Sequence, residues 1–80
     1  MKEELRKAVD LALKQQWDAA HKIVQDMDGH PIANWIHAVL HKIEGDRANS
    51  MYWYSRAGKT EYADHDPSAE LKVIQAELES

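Results

Sequence analysis

PIANWIHAVLHKIEGDRANSMYWYSRAG, residues 31–58, decides the fold. Pro31 suits the first turn of a helix, where its missing N–H costs nothing. Ile32, Trp35, Ile36, Val39, Leu40 and Ile43 then recur at helical spacing and form one apolar stripe. Gly45 stops this helix, and Asp46 is a good N-cap for a second that runs to about Ala57. Gly58 can end the second helix in the left-handed conformation. So short a turn between two helices makes them antiparallel neighbours. The run Met51-Tyr52-Trp53-Tyr54 is apolar on every side of its helix, so it is either buried or part of an interface. The stripes predict a central position for this helix, with Tyr52 or Trp53 facing outward.

The flanking sequence is helical as well. Leu5, Ala8, Val9, Ala12 and Leu13 make one helical face, and Gln15-Gln16 is a weak break before the apolar phase changes at Trp17. Trp17, Ala20, Val24 and Met27 make the next face, which Asp28-Gly29 is expected to end through a left-handed Gly29. Residues 59–66 read as a loop with one helical turn around Tyr62. Asp66-Pro67 restarts the chain as cap and first-turn residue, and Leu71, Ile74 and Leu78 form a narrower stripe on the last helix. No alternation suggests a strand. The expected fold is all-α, with about five short antiparallel helices in a single helical domain over residues 1–80.

A chain of 80 residues without cysteine has no disulfide and no thiolate metal site. A core of this size supplies only ~3–5 kcal/mol of net stability. Hydrophobic residues at 44% and charged residues at 30% mark a globular chain rather than a disordered one. Residues 1–57 carry eight basic and eight acidic side chains, so the net charge of −4 resides in the C-terminal part. Without a basic stripe, nucleic acid and anionic membrane surfaces are both disfavoured as partners. No apolar run approaches the length of a membrane span. Met1-Lys2-Glu3-Glu4 reads as the opening of a charged helix rather than a signal peptide, and a cytoplasmic location is expected.

The two helical pairs can be superposed with an offset of 30 residues. Trp17-Asp18 leads to Ala20, Val24 and Met27, and Asp46-Arg47 leads to Ser50, Tyr54 and Ala57. A tight turn, a small residue, a bulky one four later and another small one three after that resemble the tetratricopeptide repeat. Gly45-Asp46, Ser50, Tyr54 and Ala57 carry the resemblance, which covers roughly residues 3–57. The offset is about four residues short of that family's repeat, and Asn34, His37 and His41 stand where its first helix has Trp, Leu and Tyr. The resemblance implies two degenerate tetratricopeptide-like hairpins, a C-terminal capping helix and a groove for a protein or peptide. Residues 35–58 also resemble small bacterial helical proteins of no assigned activity, which implies a bacterial origin.

His37 and His41 are the residues most open to chemistry. Four apart on one helix, they project from one face and could share a metal ion, with Glu44 as the local third ligand and His65 or His21 as distant ones. The competing reading makes them seam histidines that face Tyr52, Trp53 and Tyr54 and hydrogen-bond to a hydroxyl or carbonyl. Tyr52 and Trp53, with Asn49 and Arg56 as a carboxylate-binding pair, are the candidate partner-binding residues. Asp64-His65-Asp66 could bind a cation, but Asp66 is needed as a helix cap. No serine has a nucleophile-elbow context, and three isolated glycines make no phosphate loop. On these grounds the sequence favours a small interaction module with a protein or peptide partner, or a homodimer. It names no cofactor and weighs against an enzyme. The alternative is a metal-binding or acid–base enzyme that uses His37, His41 and Glu44.

Overall fold

A computed structural model describes residues 2–80. Its helices are α1 (Lys2–Leu13), α2 (Trp17–Val24), α3 (Pro31–Glu44), α4 (Arg47–Ala57) and α5 (Pro67–Glu79), with a 3-10 turn at Thr60–Tyr62. Among the described residues there is no strand. The charged opening of α1 starts at Lys2, and Met1 lies outside the described residues.

The cap residues act where the sequence places them. The Asp46 carboxylate accepts from the Asn49 N–H at 3.2 Å, and Asp66 accepts from the Ala69 N–H at 3.0 Å. Gly45 and Gly58 end α3 and α4 at φ 90° and 70°, in the left-handed region that favours glycine. Two ends differ from expectation. Helix α2 stops at Val24, and Gly29 takes no positive φ; the turn from Gln25 closes instead through Met27 N–H to Val24 C=O and His30 N–H to Met27 C=O. The break after α1 is sharper than it looked, because Gln15 itself adopts φ 63°. A side chain there costs roughly 1–2 kcal/mol relative to glycine.

The pairs α1–α2 and α3–α4 pack as neighbours, α3 also touches α1 and α2, and α5 lies across α1 and α3. Leu5, Val9, Val24, Ile36, Val39, Leu40, Leu71, Ile74 and Leu78 are fully buried in the shared core. The central element is therefore α3 and not, as expected, α4. Residues 33–41 of α3 are buried on every side, whereas α4 buries only Ser50 and Tyr54. The stripe on α3 is also shorter than expected, since Ile43 is 46% exposed.

A buried carboxylate locks α5 in place. Glu70 accepts from Trp35 Nε1 at 2.8 Å, from the Tyr54 hydroxyl at 2.7 Å and from Lys42 Nζ at 2.6 Å. Lys42 gives its other protons to the Tyr62 and His65 carbonyls at 3.1 and 2.7 Å. The ammonium's three donors are thus all used, and every group in this buried charge pair has a partner. Burial and the Glu70 carboxylate push the Tyr54 phenol well above its usual range, so it stays a donor.

Candidate metal centre

Burying α3 on all sides buries its polar residues too, and those residues build the site. His37 and His41, one turn apart, stack at 4.9 Å between ring centroids. Helix α2 crosses them and contributes His21 from the stripe begun by Trp17. His21 Nε2 lies 3.0 Å from His37 Nε2, so at most one of these nitrogens carries a proton. His21, His37 and His41 each offer a ring nitrogen, and the three atoms lie within 4.8 Å of one another. His37 and His41 are buried and His21 is half-buried.

Two indoles frame this cluster. Trp17 stacks on His21 at 4.6 Å with an 11° tilt and is fixed by its Nε1 donating to the Leu40 carbonyl. Trp53 stacks on His37 at 4.0 Å with a 14° tilt. These apolar faces desolvate the imidazoles. Burial, then the neighbouring His21 and His41, pushes His37 down to about 4, and burial followed by His41 lowers His21. Near neutral pH His37 is therefore uncharged, the form that ligates a metal.

Glu44 stands behind His41. Its carboxylate is 2.6 Å from His41 Nδ1, an arrangement that makes Nδ1 the protonated nitrogen and leaves Nε2 as the donor lone pair. Metal-bound histidines are commonly oriented by such an outer carboxylate. Glu44 and Asp46 also form a second group with His41, again within 4.8 Å. Two nitrogens on one tetrahedral ion at ~2.0–2.1 Å lie ~3.3 Å apart. The observed 3.0 Å between His21 and His37 is close to that separation.

No family model, curated protein or solved structure matches the chain.

The converging histidines overturn the expectation that weighed against an enzyme. The cluster is a candidate metal-coordination site, three imidazoles with a carboxylate against one of them. The seam with Trp53 exists, but His37 stacks on that indole rather than hydrogen-bonding to a tyrosine. His21, named in the sequence only as a distant ligand, turns out to be the third histidine. His65 is exposed and packs on Tyr62, and Asp64 pairs loosely with Arg47 at 3.4 Å.

The other residues of interest are spread over α4. Tyr52 is 53% exposed, and the Arg56 guanidinium lies 5.7 Å from its ring centre and 5.6 Å from that of Trp53. Arg56 Nε donates to Asp28 at 3.1 Å, tying α4 to the turn after α2. Asn49 bonds to Asp46 at the opposite end of the helix. No helix among the described residues is long and apolar enough to cross a membrane.

Proposed function

We propose that the chain is a metal-binding domain that holds one divalent transition-metal ion, zinc foremost, on His21, His37 and His41. The convergence of three imidazole nitrogens, two of them 3.0 Å apart, supports this most strongly. An all-nitrogen donor set suits zinc, copper or nickel and disfavours calcium and magnesium, which require oxygen ligands. Three protein ligands leave a fourth position for water, as in catalytic rather than structural zinc sites. Glu44 orients His41 from behind through its contact with Nδ1. A bound ion would supply Lewis acidity and a more acidic water. The residues themselves orient the imidazoles, exclude solvent through Trp17 and Trp53, and keep His37 deprotonated.

Cobalt(II) titration tests this. The expected result is one ion per chain with the intense visible absorption of a tetrahedral nitrogen site, together with a change in tryptophan emission from the stacked indoles. His21→Ala should abolish the absorption. A weak octahedral spectrum unaffected by His21→Ala would refute the proposal.

The exposure of Tyr52 beside Arg56 supports a second reading, a tetratricopeptide-like interaction module with a protein or peptide partner on α4. Trp53 and Asn49 have partners within the fold, so Tyr52 would be the anchor. Tyr52→Ala should then weaken a captured complex or a homodimer without altering the thermal midpoint. A strictly monomeric chain with no partner sensitive to that substitution would rule this out.

A further inference from the structure

Helices α1 and α2 leave one face of their hairpin uncovered. Only residues 14–16 join them, and a connection that short makes them antiparallel neighbours. Residues equally far from Gln15 therefore lie side by side. Leu11 stands level with Ala19, Lys7 with Lys22 and Ile23, and Glu4 with Asp26 and Met27. Together they line an open groove of about 630 Å³. Its floor is apolar, for Leu11, Ile23 and Met27 pack on the core with one side and face the groove with the other. Its rim is charged. Glu4, Lys7, Lys22 and Asp26 are exposed, and none of them belongs to an ion pair among the described residues. Helix α2 itself has little to hold it. It is eight residues long, and its N-cap Gln16 makes no side-chain cap hydrogen bond. A helix that short persists only through packing.

We propose that a second copy of this chain docks in the groove, hairpin against hairpin about a two-fold axis, with Glu4 and Asp26 of each copy facing Lys7 and Lys22 of the other. The order of the charges selects this occupant. Both acids sit at one level of the groove and both bases at the next, one helical turn away. Rotation by half a turn about an axis between the two levels exchanges acids with bases. The same rotation sets Ile23 of one copy against Met27 of the other. A closed two-fold contact requires a patch that complements its own rotated image. A partner surface of one charge would instead meet attraction at one level and repulsion at the next. The apolar floor supplies the attraction, and the charges fix orientation and register. Docking covers α2 from outside, and association is a usual way for so small a domain to gain stability. The face on α4 lacks this pattern, because Arg56 beside Tyr52 is already paired with Asp28. His21 points from α2 towards His37 on α3, so the dimer does not depend on the metal site.

The test is sedimentation equilibrium on the metal-free full chain, from micromolar to millimolar concentration. The expected result is a monomer–dimer equilibrium that weakens as salt screens the rim. Two charge-reversed chains decide the contact, Lys7→Glu with Lys22→Glu and Glu4→Lys with Asp26→Lys. All four side chains are exposed, so both chains should keep their helical circular dichroism. Each alone should associate more than about 100-fold more weakly, because like charges then face one another. Mixed in equal amounts, they should pair again, one copy of each, since an acidic rim then meets a basic one. If a reversed chain does not fold, Ala19→Arg, which fills the groove at an exposed position, should give the same loss of association. A wild type that stays monomeric throughout the range would overturn the proposal. So would a dimer that survives both reversals, or one lost in Tyr52→Ala and kept in them, which places the contact on α4. Folded reversed chains that fail to pair when mixed would overturn the two-fold register.

Discussion

At the scale of single residues, the protonation of His37 has a direct thermodynamic consequence. Its ordinary value of 6.5 is lowered to about 4 in the fold, chiefly by burial. Between those values the unfolded chain binds a proton that the folded chain does not, so the metal-free protein loses stability as pH falls from about 6.5 to about 4. Above that window the His37 contribution is fully present. Urea midpoints measured across this range should fall with acidification, and His37→Gln should flatten that part of the curve. A wild-type midpoint that is flat from neutrality to pH ~4 would contradict the burial of a neutral imidazole. Gln15 offers a second test. With φ 63° it pays for its side chain in a region that favours glycine, so Gln15→Gly should raise stability by about 1 kcal/mol in equilibrium denaturation.

At the scale of elements, α5 depends on one carboxylate. Glu70→Ala removes the shared acceptor of Trp35, Tyr54 and Lys42 and leaves the half-buried ammonium with two carbonyls but no counter-charge, at a cost of ~3–5 kcal/mol. That is comparable to the whole stability of a domain this small. The variant should therefore lose helical circular dichroism at moderate temperature, while Lys72→Ala on the exposed side of the same helix should not. Helix positions and caps were legible because proline, glycine and aspartate act locally: Asp46, Gly45, Gly58, Asp66 and Pro67 do what their chemistry dictates. The depth of burial was not legible. Asn34, His37 and His41 made α3 look one-sided, and Met51–Tyr54 made α4 look central, because periodicity counts polarity and cannot see polar residues buried against one another. Glu70 falls on the stripe of Ile74 and Leu78, but an acidic residue in the first turn of a helix is ordinary and gives no sign of a buried partner. His37, His41 and Glu44 were readable from their spacing. His21 was not, since its partners come from another helix, though its place four residues after Trp17 on a buried stripe was an available sign.

At the scale of the whole molecule, the histidine cluster joins α2 to the α3–α4 hairpin and meets one of the surface cavities at Trp17. That cavity, about 510 Å³, is lined by Ala12, Leu13, Trp17, Leu40, Leu71 and residues near them, and shares only Trp17 with the cluster's frame. A metal ion would thus act as a clamp between helices that otherwise meet through modest packing, and its binding energy would appear as folding energy. The most direct test is the thermal midpoint of the full chain with and without zinc, in wild type and His21→Ala. At about 100 times its dissociation constant, an ion stabilises by ~2.7 kcal/mol, a rise of roughly 10–20 °C for a domain of this size. The account predicts that rise in the wild type and none in His21→Ala. An identical midpoint with and without zinc in the wild type would contradict it.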